Sequence, residues 1–287
     1  MRCALATLCA LVALAASPTG DNQDGAWTPI STDLGSIRFA AHISGREVRV
    51  RLGSASPSNS INEAFLRSLP SSSATTPEGV AIFDLPPLVD LPMVITSRRI
   101  VLPSVYRLDD PPYDIHAGRD FFSGHIVQID YPNMRLRALD QDALEMNKLA
   151  NVRARRVNQS TGTLIQINIA GQEVWAALAT EFSGALMIPR GLATQHGWLA
   201  SDQLQRGALV DAHGNEYVNE GFSVPYVGLG PFQVDDVDAV VMEEGESPLA
   251  GSDAEETVIV GNDVLRHFQL SIDLDRAYVH VQTPAAD

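Results

Sequence analysis

Apolar and polar residues alternate through much of the chain, and this pattern predicts strands. Residues 93–102 (MVITSRRIVL) and 232–242 (FQVDDVDAVVM) are clear cases, because successive side chains of an extended strand point to opposite faces. Pro and Gly punctuate these stretches where turns are needed. Helical spacing is scarce, and residues 61–69 (INEAFLRSL) and 188–198 (IPRGLATQHGW) are the best candidates. The start differs: Arg2 precedes a small and apolar run from Ala4 to Ala16, followed by Ser17, Pro18, Thr19 and Gly20. That run falls short of the roughly 20 residues that cross a bilayer. It reads as a signal peptide over residues 1–20, which implies export to the periplasm or outside the cell and no membrane insertion after cleavage.

An internal repeat organises the rest. Residues 117–130 (AGRDFFSGHIVQID) align without a gap to residues 260–273 (VGNDVLRHFQLSID), at a constant offset of 143 positions. Gly118 falls on Gly261, Asp120 on Asp263, Ile129 on Ile272 and Asp130 on Asp273. Each copy reads as a glycine turn, a helical turn capped by Asp120 or Asp263, and an alternating strand. Upstream, residues 43–53 (ISGREVRVRLG) match residues 169–179 (IAGQEVWAALA) at an offset of 126. Both read as β-hairpins that turn at Ser44-Gly45 and Ala170-Gly171. Because the two matched pairs keep their order, the duplicated unit is a whole lobe. The expected organisation is an N-terminal lobe over residues 28–141, a charged linker over 142–157 that is partly helical at its start, and a C-terminal lobe over 158–284.

These hairpins and closing segments resemble those of the retropepsin-like and pepsin-like aspartic peptidases, especially bacterial exported proteins with two retropepsin-like lobes in one chain. The resemblance implies a mainly β fold of two acid-protease-type β-barrel lobes related by a pseudo-two-fold axis, with short helices. In that family the catalytic aspartate follows the hairpin glycine by eight residues, within an Asp-Thr-Gly-Ala-Ser loop. Here the corresponding positions are Gly53 and Ala179, and neither side chain ionises. The loops read Gly53-Ser54-Ala55-Ser56-Pro57 and Ala179-Thr180-Glu181-Phe182-Ser183. Ser54 and Thr180 keep hydroxyls where the family has threonines that bond across the lobe interface. Ala55 and Glu181 replace the family glycine, so a loop that relied on glycine's backbone freedom must change shape.

The chemical consequence is direct. Two carboxyls about 3 Å apart share one proton because both cannot ionise, and that pair activates the attacking water. Without the pair the mechanism has no starting state. The expectation is therefore an exported pseudoenzyme that binds a peptide or protein in the inter-lobe cleft. The alternative is an active aspartic-type endopeptidase with a rearranged site, using Glu181 or an acid such as Asp84 or Asp90. As a loop residue, Glu181 is expected to be solvated or paired with an arginine.

Composition narrows the picture further. The formal net charge of −15 argues against nucleic acid and anionic lipid as partners. Cys3 and Cys9 both lie in the leader, so no disulfide is expected in the exported chain. The seven histidines are scattered without ligand spacing, and no metal or cofactor is expected. Two lobes in one chain imply a monomer. The cluster Arg153, Arg155 and Arg156 is expected to be a solvated part of the linker.

Overall fold

The computed structural model describes residues 25–32, 35–43, 46–56, 59–62, short stretches between 64 and 106, and 113–283 apart from 158–162, 200–203, 211–215, 244, 246 and 248–255. The signal-peptide segment, the first hairpin's turn, Asp84 and Asp90 lie outside them.

The chain is mainly β, and its two halves repeat one plan. In the first half, strands Arg38–Ile43 and Arg46–Leu52 form an antiparallel hairpin whose second strand runs parallel to Ile115–Ala117. Strand Ser60–Asn62 pairs antiparallel with Ile115–Ala117 and parallel with Val105–Tyr106. In the second half, hairpin Thr163–Ile169 and Gln172–Leu178 runs parallel to Val258–Val260. Leu186–Pro189 then pairs antiparallel with Val258–Val260 and parallel with Phe232–Met242. The long strand Glu216–Leu229 joins Phe232–Met242 to Thr163–Ile169, which closes a six-stranded barrel.

Register shows that the repeat is structural. Val50 faces Ile115 and Leu52 faces Ala117 in one half, and Ala176 faces Val258 and Leu178 faces Val260 in the other. Each residue of one set falls on its mate in the other at the two sequence offsets. The second hairpin turns through Ala170 and Gly171, both at positive φ (48° and 89°). Such a two-residue turn follows the right-handed twist of its strands.

The halves meet in a sheet drawn from both. Strands His125–Asp130 and Gln269–Asp273 pair antiparallel, with Val127 opposite Ile272 and Ile129 opposite Leu270. This pairing maps onto itself when the halves are exchanged, so the pseudo-two-fold axis passes through Gln128 and Ser271, which are joined by a 2.8 Å hydrogen bond. Strands Arg135–Asp140 and Tyr278–Gln282 flank the central pair. At the strand ends Asp130 and Asp273 are buried and accept the backbone N–H of Asn133 and Arg276, three residues on. One apolar cluster runs through both halves, from Ile37 to Val281.

Three local expectations need correction. Asp120 and Asp263 do not cap their helical turns: Gly118 and Gly261 hold the cap positions without side-chain bonds, and both aspartates lie exposed in the first turn. Helix Arg190–Gln195 falls within residues 188–198, whereas the candidate at 61–69 starts as strand at Ile61 and Asn62 and is helical at Ala64 and Phe65. Ile61 is fully buried beside its partner Ile115, and the Asn62 carboxamide accepts the N–H of Phe65, so a turn begins only after it. Within residues 142–157, helix Met146–Leu149 is followed by strand Ala154–Arg156, which pairs with Thr163–Ile169. Burial of Met146 and Val152 holds this segment against the fold, and Arg155, exposed as expected, stacks 4.3 Å over Trp175.

Candidate functional site at the lobe junction

Two equivalent loops follow the hairpins, and their backbones are held alike. Gly53 donates its N–H to Ala117 O at 2.8 Å, and Ala179 donates to Val260 O at 2.9 Å. Ser56 and Phe182 close the loops by donating to Gly53 O and Ala179 O. Arg119 and Asn262, at the starts of the two closing turns, donate in turn to Ser56 O and Phe182 O. Neither Ala55 nor Glu181 has a positive φ. The turn thus uses no left-handed residue at either position.

Ser54 and Thr180 tie the loops together across the junction. Ser54 donates its backbone N–H to Thr180 Oγ1, and Thr180 donates its own to Ser54 Oγ, both at 3.1 Å. The hydroxyls then reach two residues back along the opposite loop: Ser54 Oγ donates to Leu178 O at 2.5 Å, and Thr180 Oγ1 donates to Leu52 O at 3.0 Å. Both residues are buried. A buried backbone group stripped of its partner costs about 1–3 kcal/mol, so this reciprocal lock holds the halves in one register.

Behind that lock the loops diverge. A Cβ built on Gly53 would lie 2.4 Å from His116 Cε1 and 2.5 Å from Nε2. The imidazole thus fills the space into which any side chain at position 53 would project. At the equivalent place in the second half stands Ile259, packed with Ala179, Leu164, Ala177 and Met242. His116 is only 8% exposed. Burial first, and Arg51 second, lower its pKa to about 3, so the ring is neutral over the ordinary pH range.

A polar chain extends from this histidine across the junction. His116 Nε2 lies 2.8 Å from Ser56 Oγ, and Ser56 Oγ lies 3.0 Å from Glu181 Oε1. The other carboxyl oxygen of Glu181 is 3.5 Å from Ala55 N. Arg51 stacks 5.3 Å over the Tyr113 ring and donates to the backbone oxygen of Glu181 at 2.7 Å, leaving the carboxyl to Ser56. Burial raises the pKa of Glu181, opposed by these hydrogen bonds and by Arg51. Glu181 is thus neither a freely solvated loop acid nor, among the described residues, part of an arginine ion pair: its side chain is partly exposed and its carboxyl accepts the Ser56 hydroxyl. Among the described residues it is the carboxyl that hydrogen-bonds to either loop.

The junction is further fixed by Asn262, which donates to Gly35 O and Thr180 O and accepts the Tyr131 hydroxyl. Sequence reasoning missed Ser56, His116, Arg51 and Asn262. Only His116 carried a signal, being an ionisable residue where the repeat has Ile259. The closing-motif residues Gly118 and Gly261 stand behind the loops, as the close approach of Gly261 to Phe182 and Gly184 requires. Asp120 and Asp263 do not join the junction, and Asp263 lines a separate groove of about 660 Å³ on the second half.

No family model and no curated protein matches this sequence. Among solved structures the chain is similar to a retropepsin-like aspartic protease from Rickettsia conorii, at 12% identity and a TM-score of 0.31, over 46% of this chain and 92% of that one. It is also similar to Basic 7S globulin from soybean, at 12% identity and a TM-score of 0.47, over 90% of this chain and 94% of that one. Both are distant likenesses of aspartic-protease type, and they concern the fold alone.

Proposed function

We propose that this protein is an exported, monomeric pseudoenzyme of the aspartic-peptidase type that holds an extended peptide or a partner protein segment between its lobes. It does so without two-aspartate hydrolysis. The observation that carries this reading is the pairing of a reciprocal hydroxyl lock at Ser54 and Thr180 with Gly53 and Ala179 at the two equivalent loop positions. Keeping the lock preserves the lobes and the strand edges that recognise extended chains through main-chain bonds and alternate side-chain pockets. Losing both acids removes the water-activating pair. The test is a peptide array on the purified protein, followed by hydrogen exchange of residues 50–56 and 178–185 with and without the best binder. Protection of both segments supports the proposal. Cleavage of the peptides at acidic pH, or the absence of any binder that protects these segments, would remove it.

A second reading, a peptidase with a rearranged acid site, is favoured by the placement of the Glu181 carboxyl at the junction. It predicts acid-pH cleavage that disappears in Glu181→Ala.

A further inference from the structure

We propose that Ser56 is the nucleophile of an acyl-transfer site built with Glu181 and His116 at the lobe junction, acting on a carboxylic ester. This goes beyond the binding reading and does not depend on it.

Three separate elements and both halves contribute. Ser56 ends the loop after strand Arg46–Leu52, His116 lies on strand Ile115–Ala117, and Glu181 lies in the loop after strand Gln172–Leu178. Ser56 Oγ sits between the other two, 2.8 Å from the imidazole and 3.0 Å from the carboxyl. Ser56 and Glu181 are partly exposed, while His116 is buried behind them.

The unpartnered ring nitrogen orders the protons. His116 Nδ1 is buried with no hydrogen-bond partner among the described residues. A neutral imidazole carries one N–H, and placing it on Nδ1 would strand a buried donor. The proton is therefore assigned to Nε2, which donates to Ser56 Oγ. Ser56 in turn can pass its own proton only away from the ring, to Glu181 Oε1.

This polarity gives each group a role. Glu181 is the general base, and burial moves its pKa upward, in the direction of the operating pH. His116 is not a base: it stays neutral and holds its Nε2–H on Oγ, stabilising the charge that develops there. The Oγ attacks the ester carbonyl carbon as its proton moves to Glu181. The tetrahedral adduct then expels the alcohol, which takes that proton back from Glu181. Water hydrolyses the acyl-serine in a second cycle: it loses a proton to Glu181 as it attacks, and the departing Ser56 Oγ takes that proton from Glu181, which returns a carboxylic acid, free Ser56 and the carboxylate base. No oxidant, metal or co-reactant enters the balance.

The test is labelling of the full exported chain with a fluorophosphonate probe, with the modified residue located by peptide mass spectrometry. p-Nitrophenyl acetate turnover is measured alongside. The expected result is one label per chain, on Ser56, and none on Ser56→Ala. Glu181→Gln should slow both labelling and turnover about 100-fold or more. In the native protein the turnover rate should rise with pH as Glu181 ionises, and this rise should be missing from Glu181→Gln. A native protein whose Ser56 stays unlabelled overturns the proposal whatever the variants do. Labelling of Glu181→Gln at the native rate overturns it as well. Ser223→Ala, on an exposed position of strand Glu216–Leu229, serves as the control that should label normally.

Discussion

The loops at 53–56 and 179–182 share a backbone, a set of main-chain partners and a reciprocal hydroxyl lock, yet one is backed by an imidazole and the other by an isoleucine. In the first half the space beside position 53 is filled by His116, and the residue there is glycine. In the second half the neighbour is aliphatic, and an alanine methyl completes an apolar cluster. Equivalent positions of one repeated plan are thus packed differently: one against a polar ring, the other within an apolar cluster.

The sharpest way to break this comparison is to make the first half like the second with His116→Ile. The folded chain keeps His116 neutral down to about pH 3, whereas an unfolded histidine takes up its proton near 6.5. Between those values the unfolded state binds the extra proton, so this group removes stability as pH falls through the window, in total on the order of 4 kcal/mol. Urea denaturation at pH 7 and pH 3.5 should show that loss in the native protein and a much smaller one in His116→Ile. Equal losses in both would mean that the two halves do not differ in this respect.

The shared lock comes next. Ser54→Ala and Thr180→Val should each destabilise by about 3 kcal/mol, since each leaves two buried backbone groups without a partner. The double variant should lose clearly less than the two losses added, because both act on one network. Additive losses from the same denaturation curves would show that the ties are independent.

Smaller effects separate the acid positions. Gly53→Ala should destabilise by about 1–3 kcal/mol, the usual range for overpacking, through contact with the His116 ring. The His116→Ala background should relieve that loss. Ala179→Gly, the mirror change, should destabilise by about 1 kcal/mol through backbone freedom and a lost methyl. Failure of His116→Ala to rescue Gly53→Ala would place the obstruction elsewhere.

The least of these effects concerns Glu181. Its folded pKa is raised, so the folded chain binds the extra proton and stability from this group grows as pH falls from above the ordinary glutamate range into it. That trend opposes the one from His116. Glu181→Gln should be slightly more stable than the native protein near neutral pH, and should lack this contribution to the pH profile measured by denaturation between pH 7 and 4.5.

Much of the architecture was legible because the period-two pattern and the duplicated segments act locally. Strand Phe232–Met242 follows its alternation, and the closing strands meet in a register that the alignment of Gln128 with Ser271 already contains. The residue numbers of the degenerate loops were readable by counting from Gly45 and Gly171. Two kinds of detail were not. Asp120 and Asp263 have the composition of caps, but the chain enters each turn two residues earlier than that composition suggests. Residues 142–157 look like a charged linker until Ala154–Arg156 joins the next strand, Thr163–Ile169, and Val152 bridges to Val279, a partner distant in sequence.

The sequence by itself determined the duplication, the strand pattern and the absence of an acid at positions 53 and 179, since all are properties of residue type and spacing along the chain. Only the tertiary structure decided what surrounds those positions. Ser56 lies 60 residues from His116 and 125 from Glu181; the first pair meets only when the first half folds, and the second only once the two halves have docked around their axis. Burial then fixes the charge of His116 and shifts that of Glu181, because ionisation depends on the water and neighbours that folding removes or supplies.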